Sequence, residues 1–272
     1  MYADDTALFT SHRLIENLEI NAYIGLSLAV EFCNGHDLVF NATKTQQLSF
    51  GINKNFISNL PDIASTSSFK HLGVVLDENL TWDEHIDEMC YKLNTAIFAL
   101  KRTICISTEE ATLTAYYALF ESVLAYGIVL WGGSSAQHLQ RLLILQKRAI
   151  RTMAGLSTTD SCRPVFKRWK ILTVVGVFLL QSITLVNSHN IKRHDQVHTY
   201  NTRHGVNYNL PTHRTKRFEE KPSYLCAKYF NALPEQLKTL DEKRLKKELK
   251  IWLSERPFYT ISEFLSWQDF ED

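Results

Sequence analysis

The sequence predicts an α+β chain that is mostly helical. Ten glycines and six prolines in 272 residues are few for a turn-rich β fold. Apolar residues recur at helical spacing in several long stretches after residue 83, whereas period-two alternation is confined to short segments before it. With 45% apolar and 22% charged residues, the chain has the composition of an ordinary folded protein. Its length suffices for one large or two medium domains with a real core.

The elements follow in order. Met1-Tyr2-Ala3-Asp4-Asp5 runs into Thr6-Ala7-Leu8-Phe9. Two adjacent carboxylates between short apolar runs predict a tight turn joining two strands, with Asp4 and Asp5 at its tip. Such a tip suits Mg²⁺, which prefers hard oxygen ligands. Thr10–Ser11 offers an N-cap to a helix with Ile15, Leu18, Ala22, Leu26, Ala29 and Cys33 on one face, and Asn34–Gly35 offers its stop. This amphipathic helix is expected under the carboxylate hairpin. Residues 38–45 and then 46–50 predict strand, with Leu48 and Phe50 on one face. Residues 69–82 carry Leu72, Val74 and Leu76 in alternation, and Gly73 there permits close backbone approach.

From Thr81 the pattern turns helical. Thr81 with Glu84, and Ser107 with Glu110, form capping-box pairs. The first opens a stripe of Ile86, Met89, Leu93, Ile97, Leu100 and Ile104; the second, Leu113, Tyr116, Tyr117, Phe120, Val123 and Leu124. Residues 126–132 close that second helix. A third begins near Ser135, turns Leu139, Leu142, Leu143, Ala149, Ile150 and Met153 inward, and ends at Gly155. Its other side carries Arg141, Lys147, Arg148 and Arg151: either a solvated face or a face for phosphates, whose binding releases counterions. Asp160 is the sole acid from 141 to 170, which favours phosphate. Residues 171–194 predict a further buried helix. Residues 195–222 are polar and basic, either a linker or a segment that orders on nucleic acid through interleaved aromatics and cations. Residues 223–272 predict a helical tail.

Charge is uneven. Residues 1–90 hold 13 acids and 4 bases; residues 91–272 hold 16 acids and 26 bases. That division suits a metal-holding end joined to a nucleic-acid-gripping end, or two halves that attract one another. Five scattered cysteines without zinc spacing predict a reduced, intracellular chain, nuclear or cytoplasmic. The apolar runs near 115–131 and 171–186 are interrupted by polar residues and predict buried helices, with no membrane partner. His194, His198, His204 and His213 lack acidic or cysteine partners at metal-binding spacing.

Several of these stretches share a resemblance. Tyr2-Ala3-Asp4-Asp5 resembles the catalytic turn of reverse transcriptases, and Thr6-Ala7-Leu8-Phe9 its non-LTR retrotransposon version. Asn41-x-x-Lys44-Thr45 resembles the segment that follows that turn. Phe69-Lys70-x-Leu72-Gly73-Val74-x-Leu76-Asp77, with Leu80, Trp82, His85 and Ile86, resembles the primer-grip hairpin and is the most specific match. Leu145-Gln146-Lys147-Arg148-Ala149-Ile150-Arg151 resembles the jockey-like group, and Phe230-Asn231-x-Leu233-Pro234 the end of such polyproteins.

The resemblance implies the C-terminal part of an RNA-directed DNA polymerase. Residues 1–82 would be the end of a palm, with β-hairpins and one helix. Residues 83–194 would be a helical thumb, 195–222 a linker and 223–272 the tail. It implies that Asp4 and Asp5 hold Mg²⁺, Asp4 as the essential ligand, and that Lys44 protonates or neutralises the leaving pyrophosphate. Tyr2 and Ala3 would flank the primer end; Phe69, Lys70, Leu72 and Gly73 would grip it. The implied partners are an RNA template, a DNA primer or duplex, deoxynucleoside triphosphates, and the upstream palm and fingers of the parent. The third carboxylate lies upstream of the turn in that family, so the chain alone is expected to be inactive. The alternative is a non-catalytic nucleic-acid-binding remnant.

Overall fold

Residues 5–188, 191–197 and 205–270 are described by the structure, a computed structural model. The chain divides into two units, residues 1–85 and 86–272; among the described residues it is mostly helical, with two small two-stranded sheets.

In the first unit the stripe of apolar residues does form a helix, α1 (Ile15–Gly35). Its ends differ from expectation. Leu14 is the N-cap and supplies no side-chain acceptor; His12 Nδ1 accepts the Leu14 N–H at 3.1 Å instead. Gly35 is still helical, and the left-handed residue past the end is Asp37 (φ 56°), after which Leu38 N–H returns to the Cys33 carbonyl at 2.9 Å. No residue of α1 is buried, and Ile20, Tyr23, Ile24, Leu28 and Phe32 are exposed.

The strand expected over 38–50 shrinks to β1 (Gln46–Gln47), paired parallel with β2 (Ala64–Ser65). Asn41 explains why. Its Oδ1 accepts Thr43 Oγ1–H at 2.7 Å and Lys44 N–H at 3.1 Å, so its side chain folds residues 41–44 into a turn in place of a ladder.

β3 (Ser68–His71) and β4 (Val74–Asp77) form an antiparallel hairpin with His71 opposite Val74 and Ser68 opposite Asp77. Leu72 and Gly73 are therefore the two turn residues and not part of a strand. Both have positive φ, 47° and 81°, as a type I′ turn requires. Glycine takes that conformation freely; leucine there is strained. Asp77 then organises the exit. Its carboxylate accepts the N–H groups of Asn79, Thr81 and Trp82 at 2.9–3.1 Å, while Leu80 and Trp82 adopt φ 53° and 70°. Burial alone would raise the Asp77 pKa, but these donors overcome it and hold the carboxyl below its ordinary value. The expected Thr81–Glu84 box thus gives way to a carboxylate clamp at the start of α2 (Asp83–Ile104).

In the second unit α2 buries Ile86, Met89, Leu93, Ala96, Ile97 and Leu100. Helix α3 (Glu109–Tyr116) is capped by Thr108, whose side chain accepts the Ala111 N–H; Ser107 instead bonds Thr112 Oγ1 at 3.0 Å. The helix continues through a π turn (Tyr117–Glu121) into α4 (Ser122–Ala125). Tyr116, Phe120 and Leu124 face fully inward. Gly127 (φ 63°) breaks the chain before α5 (Ile128–Trp131).

Helix α6 (Ala136–Ala154) matches its sequence pattern, with Ser135 capping the Gln137 N–H and left-handed Gly155 (φ 65°) ending it. After α7 (Arg163–Trp169) comes α8 (Val174–Thr184), apolar on nearly every side and buried from Val174 to Leu179. It packs against α4, α5, α6 and two later helices, Pro222–Asn231 and Glu242–Glu255. Such an all-round apolar helix is a core helix. Among the described residues no single helix is long and apolar enough to cross a membrane; the bent pair Arg163–Trp169 and Val174–Ser188, at 51°, matches a span only in length and composition.

The rest comprises α9 (His194–Val197), α10 (Lys216–Glu219), α11 (Pro222–Asn231), α12 (Glu235–Lys238), α13 (Glu242–Glu255) and α14 (Ile261–Leu265). Leu245, Leu249 and Leu253 turn α13 inward, leaving its lysines exposed. Asn231 accepts the Tyr208 N–H at 2.7 Å and donates to the Tyr208 carbonyl at 2.8 Å, fastening the polar stretch onto α11. Tyr208 is 3% exposed. Asn231→Ala is expected to cost about 1–3 kcal/mol, because it strands both backbone groups; a lower urea midpoint with unchanged m-value would register it.

Candidate nucleic-acid interface

The carboxylate pair is only partly in view. Tyr2, Ala3 and Asp4 lie outside the described residues; Asp5 is exposed. Among the described residues no group of three or more His, Cys, Asp or Glu is placed to hold a metal ion. Lys44 is exposed on the turn that Asn41 makes. Lys70, Leu72 and Gly73 are exposed at the end of the β3–β4 hairpin, and Phe69 is half-buried. Of the four histidines singled out, 198 and 204 lie outside the described residues. His213 is engaged by Glu219, Nε2 to Oε1 at 3.0 Å, and that bond raises its pKa while lowering that of Glu219.

The α6 cations share a helix but not a role. Arg141 pairs with Asp87 of α2 at 2.5 Å, and Arg148 Nη1 donates to Asn94 Oδ1 at 3.3 Å. Arg151 donates through Nε and Nη2 to the Asp160 carbonyl at 3.3 and 3.1 Å. Lys147 Nζ sits 3.7 Å from the centre of the Tyr259 ring, and Arg163 lies 4.2 Å from the same ring. Arg163 also donates to both oxygens of Glu263, at 2.9 and 3.0 Å.

This cluster is partly desolvated. Burial lowers the Lys147 pKa, and it pushes the Tyr259 hydroxyl up to about 12. Arg148 and Arg141 remain exposed, whereas Lys147 and Arg151 are half-buried. The sequence missed this division, because Lys147 is covered by Tyr259 of the distant tail and Arg151 by a backbone carbonyl.

It also missed the outer ridge of α2. Tyr91 is 76% exposed and Phe98 62%. The Arg102 guanidinium lies 5.4 Å from the Phe98 ring centre. The signal was present: both aromatics fall opposite the stripe of Ile86, Leu93 and Leu100.

Comparison with known proteins follows the same direction. The chain is 21% identical over 198 residues to a protein described as the probable RNA-directed DNA polymerase from transposon X-element of Drosophila melanogaster, covering 69% of this chain and 21% of that protein. It is 24% identical over 165 residues to the RNA-directed DNA polymerase from mobile element jockey of the same species, covering 57% and 18%. It is 26% identical over 161 residues to the probable RNA-directed DNA polymerase from transposon BS, covering 56% and 18%. No family model matches the chain, and no solved structure matches it. The chain thus spans about a fifth of the length of the curated relatives it matches. The resemblance drawn from the motifs is to these same retrotransposon polymerases.

Proposed function

Proceeding from that likeness, we propose that the chain is a C-terminal segment of an RNA-directed DNA polymerase of a non-LTR retrotransposon, serving nucleotidyl transfer in its parent. The observation that carries this reading is the similarity to three differently named transposon polymerases, each matched over more than half of this chain.

In this reading residues 1–82 complete a palm, 83–194 form a thumb, 195–222 are a polar, basic linker and 223–272 a helical tail. Asp4 and Asp5 contribute to a Mg²⁺ site. Magnesium bound there would activate a primer 3′ hydroxyl and neutralise the pyrophosphate. Asp4 and Asp5 supply hard oxygen ligands; Lys44, exposed and cationic, stabilises charge developing on the leaving group. A two-metal centre needs carboxylate ligation beyond one adjacent pair, and we assign that ligand to the parent's other segments. The exposed hairpin end, Lys70 to Gly73, steadies the primer strand. Arg148, on the accessible side of α6, meets phosphate.

The chain is expected to bind an RNA–DNA primer–template duplex with an affinity that falls linearly in logarithm with salt. Arg148→Glu should weaken binding roughly tenfold and reduce the salt slope by about one. Fluorescence anisotropy across a salt series reads both. Absence of binding at low salt would sink the nucleic-acid reading. For the catalytic part, Asp4→Ala in the parent polymerase should abolish Mg²⁺-dependent primer extension; retained extension would remove Asp4 from the centre.

A further inference from the structure

The outer ridge of α2 has no role in the chemistry described so far. Tyr91 and Phe98 are seven residues apart, which places them on one side of the helix about 10 Å apart along its axis. Both rings are mostly exposed, although the inward residues of the same helix are fully buried. Arg102 lies against Phe98. Arg148 reaches the same helix through Asn94. Of the acids on this side, Asp87 pairs with Arg141 and Glu88 with Lys92, while Glu84 lies two turns before Tyr91. The surface therefore combines flat π faces with cations from Asn94 onward, its acids being gathered before Tyr91 at the start of the helix.

From this juxtaposition we infer that the α2 ridge is a stacking platform for single-stranded nucleic acid. Resting on the nucleic-acid reading above, it narrows the ligand there to unpaired nucleotides. A polyanion satisfies the arginines, and unpaired bases offer the apolar faces that the two rings need. A duplex satisfies only the first requirement, since its base faces are already stacked. At about 3.4 Å per stacked nucleotide, the two rings are about three nucleotides apart. The arginine over Phe98 leaves the ring its outer face and adds a charge beside the phosphates.

The test uses the full chain with three probes: oligo-dT, oligo-rU and a blunt DNA duplex. Tyr91→Ala and Phe98→Ala should each weaken single-strand binding about 5- to 100-fold, with duplex affinity unchanged. Phe98→Trp should keep single-strand affinity, because it preserves the π face. Both positions are exposed, so circular dichroism should show the same helix content in every variant. If the alanine variants bind single strands as the wild type does, the ridge belongs to a protein partner and the assignment falls. Equal losses on single strands and duplex would also overturn it, since stacking would then not be the source. A wild-type chain that binds none of the probes would defeat the broader nucleic-acid reading as well, and is distinguishable from the other two results.

Discussion

Gln146→Leu is expected to destabilise the second unit by about 4 kcal/mol. Gln146 is fully buried on α6. Its Nε2 donates to Tyr116 Oη at 2.9 Å and to the Leu172 carbonyl at 2.8 Å, and its Oε1 accepts the Val174 N–H at 2.7 Å. One amide therefore ties α6 to α3 and to the start of α8. Leucine fills a similar volume but strands a backbone donor, a backbone acceptor and a phenol away from water. Each stranded group costs about 1–3 kcal/mol, and groups in one network do not add independently. Tyr116→Phe removes just one of the three bonds and should cost nearer 1 kcal/mol. Urea unfolding of both variants decides the matter: equal losses would show that the backbone bonds carry nothing.

The second large effect is pH-dependent. Glu121 closes the π turn, and its Oε2 is buried without a hydrogen-bond partner. Burial raises its pKa from 4.5 to about 7, against the opposing pull of Lys250. The folded state therefore holds a proton that the unfolded state releases, between pH 4.5 and about 7. Stability contributed by this group is fully present below that window and falls as pH rises through it. Glu121→Gln should flatten the profile and add about 2–3 kcal/mol at pH 8, with little change at pH 4.5. Denaturation at the two pH values checks the sign. A stabilisation equal at both would point to packing and not to charge.

What the sequence made legible was local. Helix α6 could be read end to end, because Ser135, Gly155 and the leucine stripe all act within a few residues of themselves. Elsewhere a local signal was present but its phase was lost. Thr108 caps α3 where Ser107 was expected, and the π turn at 117–121 inserts a residue that no regular period contains. Alternation carried Leu72 straight through a reversal, since a leucine with positive φ is not a turn signal. Asn41 ended a strand through its side chain, an alternative that strand propensity does not register. Roles within the basic face were not legible at all. Lys147 is covered by Tyr259, more than a hundred residues further along, and Arg151 is held by a backbone carbonyl, that of Asp160, which no side-chain pattern announces. Of the carboxylate pair, Asp4 falls outside the described residues.

The ring of Tyr259 between Lys147 and Arg163 bears on how charge in this chain should be counted. Arg163, bonded to both oxygens of Glu263, has brought its own internal counterion, whereas Lys147 rests on the neutral ring and keeps its charge. A cation already paired neutralises a phosphate less completely, and so releases less of the counterion atmosphere of a nucleic acid. To draw Arg163 away, an anion must replace two hydrogen bonds and a π face at once. By reciprocity, anything that loosens the tail from these groups returns their charge to the solvent-facing side. How much charge Lys147 and Arg163 show to an incoming anion therefore depends on the seating of one aromatic side chain from the tail.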